Sequence, residues 1–175
     1  MSLILETERL RFCEFTVEDH AFVAELVNSP GWLKFIGERN VKTPDQARAY
    51  LENGPIKSYR DHGFGLWLVA LLKTEEPIGM CGLLWRDQLD HPDIGFAFLP
   101  AFTGNGFALE AAQATRTYAH DKLNLPTLCA IVMAENKTSI KLLEKIGMKF
   151  SKPIRLADDK EELLLYSTHS KDLQQ

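Results

Sequence analysis

A loop with two glycines separates a strand-like run from a helix-like run in the second half of the chain. The strand is predicted over residues 94–99 and the helix over residues 108–122, with Gly104-Asn105-Gly106 between them. A helix start exposes unpaired backbone N–H groups and the positive end of the helix dipole. Glycines ahead of it allow positive φ angles and a close approach of the backbone to a ligand. The loop is therefore either a plain strand-to-helix turn or a seat for an anion such as a phosphate.

Two common phosphate-binding loops do not fit this segment. A P-loop ends in Gly-Lys-Ser/Thr, whereas Gly106 is followed by Phe107 and Ala108. A dinucleotide fingerprint has three spaced glycines in an early βαβ unit, with an acidic residue at the next strand. The loop here has two glycines and follows three strand-like runs. If it holds a phosphate, it belongs to another kind of fold.

The order of predicted elements gives the fold class. Apolar residues alternate or run continuously over short stretches, with turn residues between them. Strands are predicted over residues 9–15, 64–72, 78–85, 94–99, 127–133, 148–151 and 161–167. Helices are predicted from Thr16 to about Asn28, from Thr43 to about Arg60 with a kink or break at Gly54-Pro55, and over residues 108–122 and 138–146. The order β-α-α-β-β-β-α-β-α-β-β predicts an α+β fold, an α/β sandwich with helices on both faces of a mixed, mostly antiparallel sheet.

Length and composition narrow the class of protein. The 175 residues suit a single domain over 1–175, and the formal net charge of −4 argues against nucleic-acid binding by bulk charge. No apolar run is long enough to span a membrane. The three cysteines, Cys13, Cys81 and Cys129, lack metal-ligand spacing, so we expect buried reduced thiols, no metal site and a cytoplasmic location.

Four segments carry a resemblance to a known family. Gly104-Asn-Gly-Phe-Ala108, followed by Glu110-Ala111, resembles the coenzyme A pyrophosphate loop of the GNAT N-acetyltransferases, and most of all their RimJ/RimL-type branch of ribosomal-protein N-terminal acetyltransferases. Three more segments resemble that branch's opening strand, fourth strand and late helix with its closing turn: Glu6-Thr-Glu-Arg-Leu-Arg11, Asp93-Ile-Gly-Phe96 up to Pro100, and Asn136-Lys-Thr-Ser139 with residues 142–148. They stand in the family's order and cover nearly the whole chain.

The resemblance implies how acetyl-CoA would bind. The cosubstrate would enter a V-shaped opening between the fourth and fifth predicted strands, and its pantetheine arm would pair with the backbone at Phe98 and Leu99. The pyrophosphate would lie on the N–H groups of Gly104, Asn105, Gly106, Phe107 and Ala108. Thr103 stands where the family often has Arg, Gln or Trp, so this chain lacks that charge and offers a hydroxyl donor instead.

The resemblance also implies a reaction, in which a primary amine attacks the thioester directly. Asn136 is then a ligand of the pantetheine arm, a helix N-cap, or both. Ser139 is the candidate that protonates the departing thiolate, because the position of the tyrosine acid of many family members is Leu143. Otherwise Ser139 is an ordinary serine of a first helical turn.

The general base and the acceptor are less specified. Asp93 opens the strand that lines the cleft and is the first candidate for the base, unless it is only a strand-end turn residue. The other candidates are His91, Asp87 and Glu38. Trp32, Phe35, Ile36 and Trp85 either wall the acceptor pocket or pack in the core. The acceptor is a protein N-terminal α-amine or a small-molecule amine, and an acidic residue such as Glu38 favours a cationic one.

Two other functions stay open at this point. The chain could sense acetyl-CoA or CoA without turnover, which Thr103 and Leu143 allow. It could also be a nucleotide- or phosphate-binding domain, although the expected lysine or acidic partner is missing. A homodimer through an edge strand or the closing hairpin is compatible with each of these functions.

Overall fold

A computed structural model describes residues 2–157 and 161–168. Within these residues, eight strands form one sheet in the order β1-β2-β3-β4-β5-β6-β8-β7. The strands are β1 Leu3–Glu6, β2 Leu10–Cys13, β3 Leu66–Leu71, β4 Pro77–Leu84, β5 Asp93–Phe98, β6 Cys129–Val132, β7 Lys149–Ile154 and β8 Leu163–Ser167. Neighbouring strands run antiparallel except β5 and β6, which are parallel. The predicted fold class, with a mixed and mostly antiparallel sheet, is confirmed.

The helices connect strands along the chain and pack on the two faces of this sheet. They are α1 His20–Val27, α2 Pro30–Phe35, α3 Pro44–Leu51, α4 Lys57–His62, α5 Phe107–Asp121 and α6 Lys137–Lys145. The predicted break at Gly54-Pro55 is a π-helical turn, Glu52–Ile56, which joins α3 to α4. A wider turn accommodates the proline, whose ring and missing N–H disrupt an α-helix. Among the described residues, no helix has the length and apolarity required to cross a membrane.

Two elements differ from the sequence-based expectation. The predicted first strand is the second arm of a hairpin, because β1 precedes β2 and pairs with it. Strand β1 is short and partly exposed at the sheet edge, so it lacks a clear apolar alternation. Helix α2 was not expected either. The residues that end α1 also start α2, with Ser29 as its N-cap and Pro30 at its first position.

Alternation along the strands divides the core into two layers. On β4, Met80 packs with Leu26 and Leu51 of α1 and α3. Its neighbour Cys81 faces the other side, in the cluster that also contains Trp67 and Leu143. Successive side chains of a strand point to opposite faces, so one strand supplies both layers. Helices α1 and α3 therefore cover one face of the sheet, and α5 and α6 the other.

The parallel strands β5 and β6 pair at one position only, and this shapes the molecule. Asp93 is opposite Cys129, whose N–H donates to the carbonyl oxygen of Pro92 at 2.9 Å. Beyond this pair, the two strands separate toward their carboxyl ends. The edges that face each other there carry backbone groups with no neighbouring strand, and a cleft opens between them.

Substituting Gly82 tests the close packing of strands that supports this cleft. A Cβ at Gly82 would lie 2.1 Å from the carbonyl oxygen of Gly65, which is backbone and cannot rotate away. We expect Gly82→Ala to lower the free energy of unfolding by about 1–3 kcal/mol, measured by urea denaturation. Gly31→Ala is the control, because nothing lies within 4 Å of its added Cβ. Equal stability of the two variants would contradict the packing described here.

Candidate active site

A cavity of about 990 Å³ occupies the opening between β5 and β6. It is lined by most of the predicted site residues, namely Asp93, Phe98, Thr103, Gly104, Gly106, Phe107, Ala108, Asn136 and Ser139. They come from strand β5, from the loop before α5 and from the start of α6. Leu99 and Asn105 lie outside the lining. The fold thus brings together residues that are up to 46 positions apart in the chain.

The glycine loop follows the carboxyl end of β5 and presents backbone N–H groups that have no partner in the helix. Gly104 and Gly106 both have a φ angle of +80°, the left-handed region that glycine adopts without strain. The first hydrogen bond of α5 runs from the N–H of Glu110 to the carbonyl oxygen of Gly106, at 3.0 Å. The N–H groups ahead of Glu110 therefore have no partner within the helix. Donors of this kind, at the positive end of a helix dipole, suit an anion.

Thr103 does not act as the expected spare donor of this loop. Its hydroxyl donates to the carbonyl oxygen of Pro100 at 2.8 Å. A hydroxyl has a single hydrogen to donate, so in this conformation Thr103 offers a ligand only acceptor capacity. The loop relies on its backbone N–H groups.

The backbone of β5 corrects the expectation for Leu99. The N–H of Leu99 donates to Ile78 on the β4 side at 2.9 Å, and its carbonyl oxygen accepts from Phe102 at 2.9 Å. Leu99 is buried in the core layer under α1 and α3. In an antiparallel pair, the backbone groups of successive residues face opposite sides. Phe98 and Phe96 therefore direct their N–H and C=O groups toward the cleft, whereas Leu99 does not. Sequence reasoning missed Phe96.

Asn136 and Ser139 lie together at the start of α6. The Oδ1 atom of Asn136 accepts a hydrogen bond from the N–H of Ser139 at 3.3 Å, which makes Asn136 the N-cap. The capping bond uses the side-chain oxygen, so the amide nitrogen is the half that can reach a ligand. Ser139 is half-buried and stands in the first turn. Leu143, one turn later, also lines the cavity and carries no group that can donate a proton.

Asp93 lies at the closed end of the cleft and is buried, with 1% of its surface exposed. Its carboxylate accepts hydrogen bonds from Arg86 Nε at 3.1 and 3.4 Å. Burial raises the pKa of Asp93 to about 6, although the charge and hydrogen bond of Arg86 act in the opposite direction. A carboxyl with such a pKa exchanges a proton near neutral pH.

Sequence reasoning missed Arg86, although strand pairing places it close to Asp93. Leu84 is opposite Asp93 across the β4–β5 hairpin, and Arg86 follows two residues later. The other candidates for the base, His91, Asp87 and Glu38, lie outside the cavity lining. The carboxylate of Glu38 accepts from the N–H of Asn40 at 2.8 Å and from Lys42 Nζ at 3.4 Å.

Aromatic and apolar side chains from α2 and the segment after it line the other end of the cavity. Trp32, Phe35 and Ile36 are among them, and Trp32 also packs in the core layer under α1 and α3, so for this residue both alternatives hold. Trp85 does not line the cavity: it is 46% exposed, and its ring lies 5.8 Å from that of His62. Arg39 and Tyr50, which sequence reasoning missed, also line this end; burial raises the pKa of Tyr50, and the charge of Arg39 acts in the opposite direction.

Comparison with known proteins fits this geometry. Residues 9–149 match the family model of the acetyltransferase (GNAT) domain. The chain belongs to the GNAT acetyltransferases. It is therefore an acyltransferase, and acetyl-CoA is the cosubstrate of this family.

Three similar proteins illustrate the range of relatives. YkkB of Bacillus subtilis is 31% identical over 155 residues, which cover 86% of this chain and 88% of YkkB. An acetyltransferase from Agrobacterium tumefaciens is 27% identical, with a TM-score of 0.80 and coverage of 97% and 95% of the two chains. A ribosomal L7/L12 α-N-protein acetyltransferase, RimL, in complex with coenzyme A has a TM-score of 0.79 over 95% of this chain and 97% of its own. At 15% identity, RimL shows the shared fold alone.

Replacing Arg86, the partner of Asp93, should lower the free energy of unfolding by an amount that depends on pH. The folded-state pKa of about 6 lies above the unfolded value, so the contribution of Asp93 is most favourable at low pH and is lost as the pH rises through about 6. Arg86→Ala removes the attraction that limits this loss. We expect it to cost about 3 kcal/mol at about pH 8, the low end for a buried pair because Arg86 is partly exposed.

Urea unfolding at about pH 5 and about pH 8 checks this expectation. At about pH 5, Asp93 is largely protonated in both proteins, and the difference between them should shrink. The double variant Arg86→Ala/Asp93→Asn should recover much of the loss at the higher pH, because it buries no unpaired charge. A loss of equal size at both pH values would rule out the buried ion pair as its cause.

Proposed function

We propose that this GNAT acetyltransferase moves an acetyl group from acetyl-CoA to a primary amine, by direct attack of the amine on the thioester. The observation that carries the proposal is the cleft itself. Two parallel strands separate, and the glycine loop at the N-terminus of α5 lies at the mouth of the opening. The mouth of the cleft supplies donors for an anion, α2 and the segment after it supply an apolar pocket, and the closed end of the cleft holds a titratable carboxyl.

In this proposal, acetyl-CoA binds largely through backbone groups. The pyrophosphate accepts hydrogen bonds from the N–H groups of Gly104, Asn105, Gly106, Phe107 and Ala108. The pantetheine arm pairs with the cleft-facing backbone of Phe96 and Phe98 as an added strand would. The amide nitrogen of Asn136 donates to the same arm. Backbone donors bind phosphates without side-chain charge, which is consistent with a chain whose net charge is −4.

The proposed reaction needs a base, a hydrogen-bond donor for the developing negative charge, and an acid. The amine must lose a proton to attack, and Asp93 accepts it directly or through a water. The thioester oxygen gains negative charge, which a cleft-facing N–H of β5 stabilises. The C–N bond forms, the C–S bond breaks, and the departing thiolate takes a proton from the hydroxyl of Ser139, which regains one through water as Asp93 releases the proton taken from the amine. Leu143 cannot perform that last step, which leaves Ser139 as the acid in this chain.

The acceptor and the biological setting extend the same proposal. The acceptor is a protein N-terminal α-amine or a small-molecule amine, held between Trp32, Phe35 and Ile36. The four motif segments support the RimJ/RimL-type branch.

Three buried thiols support a cytoplasmic location. Phe150 on the edge strand β7 is 47% exposed in the single chain, and a homodimer through this edge would bury it.

Acetyl-CoA binding is the first test of the proposed function. Isothermal titration of the protein with acetyl-CoA should show micromolar affinity, with ATP and NAD as controls that bind much more weakly. Gly106→Ala should weaken acetyl-CoA binding about tenfold, because alanine is strained at a φ of +80° and the loop must shift. Binding of ATP or NAD at equal strength would support a general nucleotide-binding domain instead.

The role of Ser139 separates a catalyst from a sensor. If Ser139 protonates the leaving thiolate, Ser139→Ala should lower kcat about 100-fold, while the Kd for acetyl-CoA stays within about twofold of wild type. The assay is the release of free thiol with a panel of primary amines.

Two variants control the Ser139 test. Ser139→Cys keeps an ionisable proton at the same position and should retain more activity than the alanine variant. Thr117→Ala deletes an exposed hydroxyl on α5 and should behave as wild type. Wild-type protein that binds acetyl-CoA but turns over no amine would favour the sensor, which is the second candidate function because Leu143 removes the usual acid.

A further inference from the structure

We propose that Arg9 is a positioning residue for the glycine loop. It binds the side of the loop that faces away from the cavity, so that the N–H groups of the loop face the pyrophosphate of acetyl-CoA. The inference rests on the proposed binding of acetyl-CoA to this loop and adds a residue that lies outside the cavity lining. Arg9 lies on the turn between β1 and β2, remote in sequence from the loop.

Arg9 contacts three parts of the loop and of helix α5. Its Nη1 atom donates to the carbonyl oxygen of Asn105 at 2.9 Å. Its Nε atom donates to Glu110 Oε2 at 2.6 Å, and its backbone N–H donates to Oε1 of the same residue at 3.0 Å. The guanidinium carbon lies 4.4 Å from the centre of the Phe107 ring. A single side chain thus joins the hairpin, the loop and the first turn of α5.

Glu110 is held by a second donor from the same turn. The hydroxyl of Thr7 donates to Glu110 Oε1 at 2.6 Å, and it accepts from the N–H of Leu10 at 3.1 Å. Burial alone would raise the pKa of Glu110, but the hydrogen bonds from Thr7 and Arg9 lower it. Glu110 is therefore ionised at neutral pH, and its charge fixes the guanidinium plane by a charge-assisted bond.

The contact with Asn105 determines which way the loop donors point. The structure has no cis peptide bond in its described residues, so the carbonyl of Asn105 and the N–H of Gly106 lie in their shared peptide plane and point in opposite directions. Arg9 holds that carbonyl on the hairpin side. The N–H of Gly106 consequently points to the other side, and Gly106 lines the cavity.

Gly106 also allows the guanidinium to lie close to the loop. A Cβ at this position would stand 3.4 Å from Arg9 Nη2. The absence of a side chain thus serves two purposes, the positive φ angle and the close packing of Arg9. Because Glu110 balances the charge of Arg9, the contribution of Arg9 to binding is orientation of the loop rather than positive charge.

The experiment compares two thioesters that differ in the pyrophosphate. Acetyl-CoA carries it, and S-acetylpantetheine does not. We expect Arg9→Ala to raise the Kd for acetyl-CoA about tenfold, the effect of losing a charge-assisted hydrogen bond. The Kd for S-acetylpantetheine, measured by ligand-observed NMR titration, should stay within about twofold, because that ligand makes no use of the loop.

Two further variants make the comparison specific. Arg11→Ala is the matched control: Arg11 lies on the same hairpin and pairs with Glu6 at 2.9 Å and with Glu75, away from the loop. It should leave both Kd values unchanged. Arg9→Lys keeps the charge and most of the stem but loses the planar fork, so it should also raise the Kd for acetyl-CoA alone, several-fold. It provides the same test if Arg9→Ala fails to fold.

Each of the other possible results contradicts either the role of Arg9 or the proposed use of the loop. Equal weakening of both ligands by Arg9→Ala would make Arg9 a residue for folding only. Unchanged binding, or full recovery with lysine, would also overturn the inference, since it would show that orientation by the fork is not needed. Wild-type protein without preference for acetyl-CoA over S-acetylpantetheine would instead disprove the proposed use of the loop, before any variant is compared.

Discussion

The molecule depends on the single pairing between β5 and β6. At Asp93 and Cys129 the two parallel strands are joined, and the sheet is continuous. Past that point the strands separate, and each leaves one edge without a neighbour. An open edge costs free energy unless water or a ligand satisfies its backbone groups. The fold accepts that cost where a substrate can bind as an added strand. Had β5 and β6 continued to pair, the sheet would be complete and the cavity would be closed.

An arginine–carboxylate pair stands at each end of this opening, and the two pairs differ in burial. Asp93, at the closed end, is 2% exposed in its side chain, and Glu110, at the mouth, is 19% exposed. Burial dominates at Asp93 and raises its pKa, which keeps a proton exchangeable near neutral pH. Burial also acts at Glu110, but hydrogen bonds from Thr7 and Arg9 together outweigh it and lower the pKa, which keeps the carboxylate charged. The same pair of residue types thus suits proton transfer at one end and rigid support at the other.

Local patterns predicted most of the fold, because they depend on neighbouring residues. The strands on either side of the cleft, the glycine loop and the start of α6 were all recognised from alternation, capping and turn chemistry. The failures involve contacts across the chain. Strand β1 is too short and exposed to show alternation, and Leu99 turns its backbone toward Ile78, which depends on the register with β4. Arg86 has no local signature, and the segment that contains Arg9 was recognised without any sign of the partner that Arg9 binds. Their importance comes from partners that only the folded hairpins bring near, Asp93 in one case and Glu110 in the other.

The two ends of the cavity obey different constraints, and this explains why the cosubstrate is easier to infer than the acceptor. The end at which we propose that acetyl-CoA binds is built mainly from backbone groups, whose direction follows from strand register and from two glycines with positive φ. Those features leave a recognisable trace in a sequence. The end proposed for the acceptor is built from side chains after Ser29, with Trp32, Phe35, Ile36, Arg39 and Tyr50 in the lining. Substitutions there change the shape and polarity of the pocket without moving a strand. Selectivity for the amine can therefore change while the groups proposed to bind acetyl-CoA and to transfer protons stay in place.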